Sequence, residues 1–329
     1  MKNATILVII IMLFMSCQED KKQEMTTLSG PVFGTGYKAI YNSNEDYTAQ
    51  FDSLFTVINN SMSTYIPDSD ISRVNKNKDV VIDEHFEKVL AASKTIYRRT
   101  EGAFDPTIGA VVNAWDFGPE GDIENLDSLK IKSLMTAVGL NKLGIVNGKI
   151  KKSEATRIDF NAIAKGYGVD VIADFLEAKH IDHYLVEIGG EIRAKGLNIK
   201  KEKPWTVGVT RPRFDGINDA TDYVKAVPLS DEAMATSGTY RKFKIDENGN
   251  RYSHIIDTKT GYPSKTNLLS ISVIAPDCMT ADAYATAFKT MGIEKTKTFL
   301  ESHPELKVFL IFENIDKELE TLSLNGFPE

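Results

Sequence analysis

Asp282 and Thr286 stand four residues apart in Ala281-Asp-Ala-Tyr-Ala-Thr286, a stretch of helical character. Residues at that spacing share one helix face, so a carboxylate and a hydroxyl project together. They form a pair of hard oxygen ligands, suited to Mg2+ rather than zinc, and Mg2+ completes its shell with water and substrate phosphates. The simpler reading of Asp282 is an early-turn acid that complements the helix dipole. Among five histidines, His254 is set apart: it lies between a hairpin and the turn Asp257-Thr-Lys-Thr-Gly-Tyr-Pro263. An imidazole there reads either as a general base for neutral pH or as a structural strand histidine. His85, His180, His183 and His303 sit among charges at helix starts, helix ends and loops, and read as surface groups.

A second group is Asp159-Phe-Asn-Ala-Ile-Ala-Lys-Gly-Tyr-Gly-Val-Asp170, read as a strand end running into a helix. Lys165 near a helix start opposes the macrodipole, a cost of a few tenths of a kcal/mol that makes sense if the ammonium faces phosphate. The alternative is a solvated surface lysine. Gly166 and Gly168 each cost about 1 kcal/mol relative to alanine inside a helix. Glycines are placed there when something must come close to the backbone. Gly189-Gly190 and Thr236-Ser237-Gly238 read as turns that can bring amides to phosphate or ring oxygens, or as plain turn chemistry. Phe104 and Tyr65 can stack on a ring or pack into a core, and Asp105 can accept hydrogen bonds from a ligand.

The elements that must hold these groups follow from periodicity. Helical spacing of apolar residues predicts helices over 51–62 and 86–97, the second capped by Asp83. Pro106 suits the first turn of a helix reaching Trp115, and a further helix over 129–138 ends at Gly139. The clearest helix covers 162–178; others cover 280–291 and 295–302. Strands are predicted over 143–146, 149–151, 157–160, 183–188, 191–194, 205–209, 223–228, 269–275 and 308–312. Asn248-Gly249 marks a hairpin between 240–245 and 251–257. Helices and hairpins in mixed order imply an α+β fold of mixed sheets with packed helices, and 329 residues fit one large domain or two intimately associated subdomains.

These segments, with Phe33-Gly-Thr, Ser63-Thr-Tyr, Gly102-Ala-Phe-Asp-Pro-Thr-Ile-Gly, Tyr184-Leu-Val-Glu-Ile-Gly-Gly-Glu-Ile-Arg-Ala-Lys-Gly, Ala235-Thr-Ser-Gly and Ser253-His-Ile-Ile-Asp, closely resemble the ApbE family, the FAD:protein FMN transferases. The resemblance covers nearly everything after residue 30. It implies that Asp282, Thr286 and the main-chain carbonyl of Ala162 hold Mg2+, which requires an irregular turn that frees that carbonyl from the helical ladder. Some relatives carry a further acid where this chain has Ala285. It also implies FAD contacts at Phe33, Tyr65, Ala103, Phe104, Asp105, Asp159, Lys165 and Ile256, with His254 as the catalytic base. Phe33 stands where many relatives have methionine, and Thr239 where many have Asp or Asn. Thr258 replaces a common proline, which implies a looser turn.

The implied reaction is phosphoryl transfer on FAD as substrate. A threonine or serine hydroxyl of a target protein attacks the FMN-side phosphorus, and AMP leaves. Implied targets are flavin-carrying subunits of membrane redox complexes, with the acceptor in an Asp-Gly-x-x-Thr-like segment. The alternatives are hydrolysis of FAD to FMN and AMP, and non-catalytic capture of FAD.

The chain has 329 residues and a net charge of −7, which argues against a nucleic-acid surface. Residues 1–16 read as a signal peptide: Lys2 supplies the positive start, and 6–15 is an apolar run too short to span a bilayer. Ser16-Cys17 resembles a bacterial lipoprotein cleavage site, with Cys17 lipidated. The expected organisation is a signal peptide over 1–16, a flexible tether over 17–28 and an ApbE-like domain over 29–329. The expected location is the bacterial envelope, anchored to a membrane and facing the periplasm. Cys278 is then the only free thiol, read as buried and inert.

Overall fold

The computed structural model describes residues 24–213, 222–239, 243–245 and 251–329. The expected signal peptide, Cys17 and the Asn248-Gly249 turn lie outside the described residues. Strands are β1 (Thr26–Val32), β2 (Thr35–Tyr41), β3 (Gly144–Val146), β4 (Lys149–Lys151) and β5 (Tyr184–Ile188). They continue with β6 (Glu191–Lys195), β7 (Leu197–Asn198), β8 (Lys203–Thr210), β9 (Tyr223–Leu229) and β10 (Glu232–Gly238). The last are β11 (Phe243–Ile245), β12 (Arg251–Ser253), β13 (Leu268–Ala275), β14 (Lys307–Glu313) and β15 (Leu319–Leu324). Helices are α1 (Thr48–Met62), α2 (Asp70–Asn75), α3 (Glu84–Arg99), α4 (Gly109–Ala114), α5 (Ser128–Met135), α6 (Ala164–Ala178) and α7 (Cys278–Leu300).

An antiparallel sheet in the order β1-β2-β5-β6-β10-β13-β14-β15 is the scaffold. Every residue of β13 is buried because both sheet faces are covered at its centre. Ile271, Val273 and Ala275 pack with Ala281, Ala285 and Phe288 of α7. Ile274 points the other way, toward Trp205, Val207 and Val227 of the β8–β9 hairpin. This period-2 alternation sorts the apolar residues of one strand into two cores. Helix α6 packs on β5 and β6 and crosses α7, so both helices lie on one face of the sheet.

Local signals behave as their chemistry dictates. Asp83 caps α3, accepting from the Phe86 amide at 2.8 Å. Gly292, at φ 77°, breaks α7, matching the two helices expected there. The β11–β12 pairing matches the expected hairpin. The α+β class holds.

Several boundaries differ. β1 begins at Thr26, so the last residues expected to be tether are already in the sheet. The helix expected after Pro106 is limited to Gly109–Ala114, and 157–160 forms only a bridge from Arg157 to Ile108. Thr236, Ser237 and Gly238 are not a turn but the end of β10, paired with Ser272, Ile271 and Ser270. Their small, turn-prone side chains are accommodated because α7 packs closely over that strand.

Candidate active site

The centre of the site is the crossing of α6 and α7. A Cβ on Gly166 would lie 2.3 Å from the Cys278 carbonyl oxygen and 2.8 Å from Asp282 Cβ. A Cβ on Gly168 would lie 2.6 Å from the Phe33 ring. Both glycines are therefore required by close approach, the first to the start of α7 and the second to the β1–β2 turn. Phe33 holds a left-handed backbone at φ 47° and packs edge-on against Phe55.

Because the helices touch, the Gly166 amide donates to Asp282 Oδ2 at 3.0 Å. In a regular helix that amide would donate to the Ala162 carbonyl, four residues earlier. The turn before α6 is irregular, with Ile163 at φ −152°, and both Ile163 and Ala164 amides fold back on the Phe160 carbonyl. The Gly166 amide is thus taken from the Ala162 carbonyl by the buried Asp282. Burial pushes the Asp282 carboxyl above its ordinary value, opposed by the Lys165 charge and the Gly166 amide. One turn along α7, the Thr286 hydroxyl is 3.1 Å from Ser237 Oγ.

Lys165 points to a partner that sequence reasoning did not single out. Its Nζ is 2.6 Å from Glu191 Oε1. Glu191 opens β6 directly after Gly189 and Gly190, which turn the chain at φ 63° and 106°. Burial and the Asp282 charge push Glu191 up to about 7, and Lys165 opposes that shift. The available signal was a glutamate placed straight after a Gly-Gly turn between apolar residues. Asp170 was also missed. Its oxygens accept from the Cys278 and Met279 amides at 3.0 and 2.8 Å, capping α7 together with Asp277. Burial moves the Asp170 carboxyl up to about 6, and Arg193 pairs with it at 3.1 Å. Cys278 is fully buried, as expected.

From Asp282 and Thr286 the same face of α7 continues to Thr290, whose hydroxyl donates to the Ala103 carbonyl at 3.1 Å. The neighbouring Gly102 carbonyl accepts from the Thr258 hydroxyl, and Lys259 Nζ donates to the Glu101 carbonyl. Asp257 Oδ1 accepts from the Lys259 and Thr260 amides. The expectation of a loose turn is thereby corrected: side chains pin it to the 101–103 loop where proline would have stiffened it. His254, just upstream, is half-buried with its ring edge-on to Phe117.

Not every implied ligand group presents a side chain. Phe104 and Ile256 are core residues, and Ala103 is buried. Of the two readings open for Phe104, the structure shows core packing: its ring lies in the main core with residues such as Phe160 and Ile163. Asp105 is buried and holds neighbouring groups of the chain. Its Oδ1 accepts from the Thr107 amide and hydroxyl, and its Oδ2 from the Leu140 amide, so it organises its own loop. Tyr65 is 57% exposed and shares a cleft of about 220 Å3 with Asp159, Thr64, Asn75 and Arg157. The Asp159 amide donates to the Pro106 carbonyl at 2.7 Å, tying this cleft to the 103–107 loop. Among the other histidines, His85 is not simply a surface group, since its Nδ1 lies 2.7 Å from the Tyr167 hydroxyl.

Comparison with protein families matches residues 33–310 to the ApbE family. The chain belongs to the ApbE family. It is 38% identical to an FAD:protein FMN transferase of Haemophilus influenzae, across 95% of this chain and 93% of that one. A Vibrio cholerae FAD:protein FMN transferase is 34% identical across 99% of both chains. The fold matches the flavin transferase ApbE from Vibrio cholerae with a TM-score of 0.82 at 34% identity, over 92% of this chain and 98% of that one. The apo flavinyl transferase ApbE of Pseudomonas stutzeri matches with a TM-score of 0.82 at 28% identity, over 92% of this chain and 96% of that one.

Proposed function

We propose that the protein is a Mg2+-dependent FAD:protein FMN transferase. The observation that carries the metal reading is the hand-over at the helix crossing. Asp282, the buried carboxylate of α7, takes the Gly166 amide that a regular helix would give to the Ala162 carbonyl. The donor set fits a hard cation, with a carboxylate, the Thr286 hydroxyl and a main-chain carbonyl. Mg2+ held by Asp282, Thr286 and the Ala162 carbonyl would neutralise pyrophosphate charge and steady the leaving phosphate.

The chain's own groups supply the rest. Lys165, held at the mouth of α6, offers its ammonium to a phosphate oxygen. Tyr65 and Asp159 line the cleft that receives FAD, and Phe33, packed against Gly168 and Phe55, offers an apolar contact. Ala103, Phe104, Asp105 and Ile256 contribute main-chain atoms, since their side chains are engaged in the fold. His254 accepts the proton of the acceptor threonine or serine hydroxyl as that oxygen bonds to the FMN-side phosphorus. The pyrophosphate P–O bond breaks, and AMP carries the bridging oxygen away. FAD is therefore consumed as a substrate.

The acceptors proposed are flavin-carrying subunits of membrane redox complexes, with the hydroxyl in an Asp-Gly-x-x-Thr-like segment. A lipid on Cys17 would hold the enzyme at the bacterial envelope facing the periplasm, which is where the apolar run over 6–15 and the following cysteine direct it. Incubation with FAD and Mg2+, with and without an acceptor peptide, tests the reaction. AMP released only with peptide supports transfer. AMP released regardless makes the protein a hydrolase, and no AMP makes it a flavin binder.

A further inference from the structure

Glu191 is the least expected charge in the site. Its side chain is only 4% exposed, and its Oε2 is buried without a hydrogen-bond partner. A buried carboxylate is costly unless paired, and one left half-satisfied contributes little to holding a fold together. Glu191 has one strong interaction, the 2.6 Å contact from Oε1 to Lys165 Nζ. Lys165 in turn is within the electrostatic reach of Asp282, yet its ion pair among the described residues is with Glu191. Asp282 instead receives the uncharged Gly166 amide.

That division matters for chemistry. An ammonium resting on Asp282 would compete with any cation for the same oxygens. We infer that Glu191 is a positioning residue that holds the Lys165 ammonium off Asp282 and so keeps that carboxylate open to a divalent cation. The inference rests on the metal reading given above and deepens it. Glu191 need not touch substrate. Its location makes the geometry possible, because the Gly189-Gly190 turn delivers it from the sheet while Lys165 comes from the start of α6. Without the Glu191 charge, low-dielectric attraction would draw the ammonium to the next carboxylate, Asp282.

The test measures cation binding directly, with Mn2+ alone titrated into the full chain and free Mn2+ followed by electron paramagnetic resonance. Glu191→Gln keeps the shape and removes the charge. It is expected to weaken Mn2+ binding about 10- to 100-fold, the range for loss of a charged hydrogen bond. Adding Lys165→Met to Glu191→Gln removes the competitor and is expected to restore binding, an outcome that a merely structural role for Glu191 would not produce. Unchanged binding in Glu191→Gln overturns the inference while leaving the metal site intact. Weak binding in both variants also overturns it. A wild-type protein that binds no Mn2+ overturns the metal reading and this inference together, whereas the AMP assay judges the transfer reaction separately. Should Glu191→Gln fail to fold, the doubly neutral variant decides: binding like wild type supports the assignment, and lost binding overturns it.

Discussion

Lys289 offers a quantitative test of how this fold treats charge. It lies on α7 beyond Thr286, is 1% exposed, and donates to Thr266 Oγ1 at 2.8 Å. Burial alone pulls its ammonium from an ordinary 10.5 down to about 8, with no carboxylate among the causes to oppose it. The unfolded chain binds the lysine proton more tightly than the folded one between those two values, so stability rises with pH across that window. Below it both states are protonated, and the folded state bears the full cost, about 3 kcal/mol from the size of the shift. Lys289→Met fills a similar volume and removes that cost. Loss of the Thr266 hydrogen bond offsets about 1 kcal/mol, leaving a net gain of roughly 1–3 kcal/mol at pH 7. Urea unfolding of both proteins at about pH 7 and about pH 10 reads the difference, since other groups titrate alike in each. The gain should shrink at the higher pH. A variant less stable at neutral pH, or a gain indifferent to pH, would refute the burial argument.

Gly166→Ala should destabilise the protein by about 1–3 kcal/mol in spite of better helix propensity, because its Cβ meets the Cys278 carbonyl backbone; thermal melting measures it. Asp282→Asn keeps an acceptor for the Gly166 amide but loses the charge, and should abolish Mg2+-dependent flavin transfer with the melting temperature little changed; near wild-type transfer would remove Asp282 from the metal site. His254→Ala should slow FMN transfer about 10²- to 10⁴-fold while FAD affinity, followed by flavin fluorescence quenching, changes modestly. A parallel loss of both would make His254 a ligand contact instead of a base. Cys17→Ala should release the protein from salt-washed membranes with catalysis intact, and continued sedimentation would place the anchor elsewhere.

Wherever a signal is local, the sequence already contained it. The four-residue spacing of Asp282 and Thr286 sets them on one helix face before any tertiary contact forms. The Asp83 cap and the break of α7 at Gly292 are likewise written in neighbouring residues. Gly166 and Gly168 announced close approach, since glycine inside a helix has few other uses. What approached them was not legible. The Gly166 amide finds Asp282 116 residues away, and Lys165 finds Glu191 on a strand inside the sheet. Phe104 and Tyr65 carry equal aromatic potential in the chain, yet one is core and the other is largely exposed. Thr236-Ser237-Gly238 has turn chemistry and forms strand, because β13 and α7 enclose it. Periodicity tells which face of an element is apolar. Only the packing of α6 on α7 over one sheet decides what covers that face, which carboxylate takes the Gly166 amide, and which charges must share the interior.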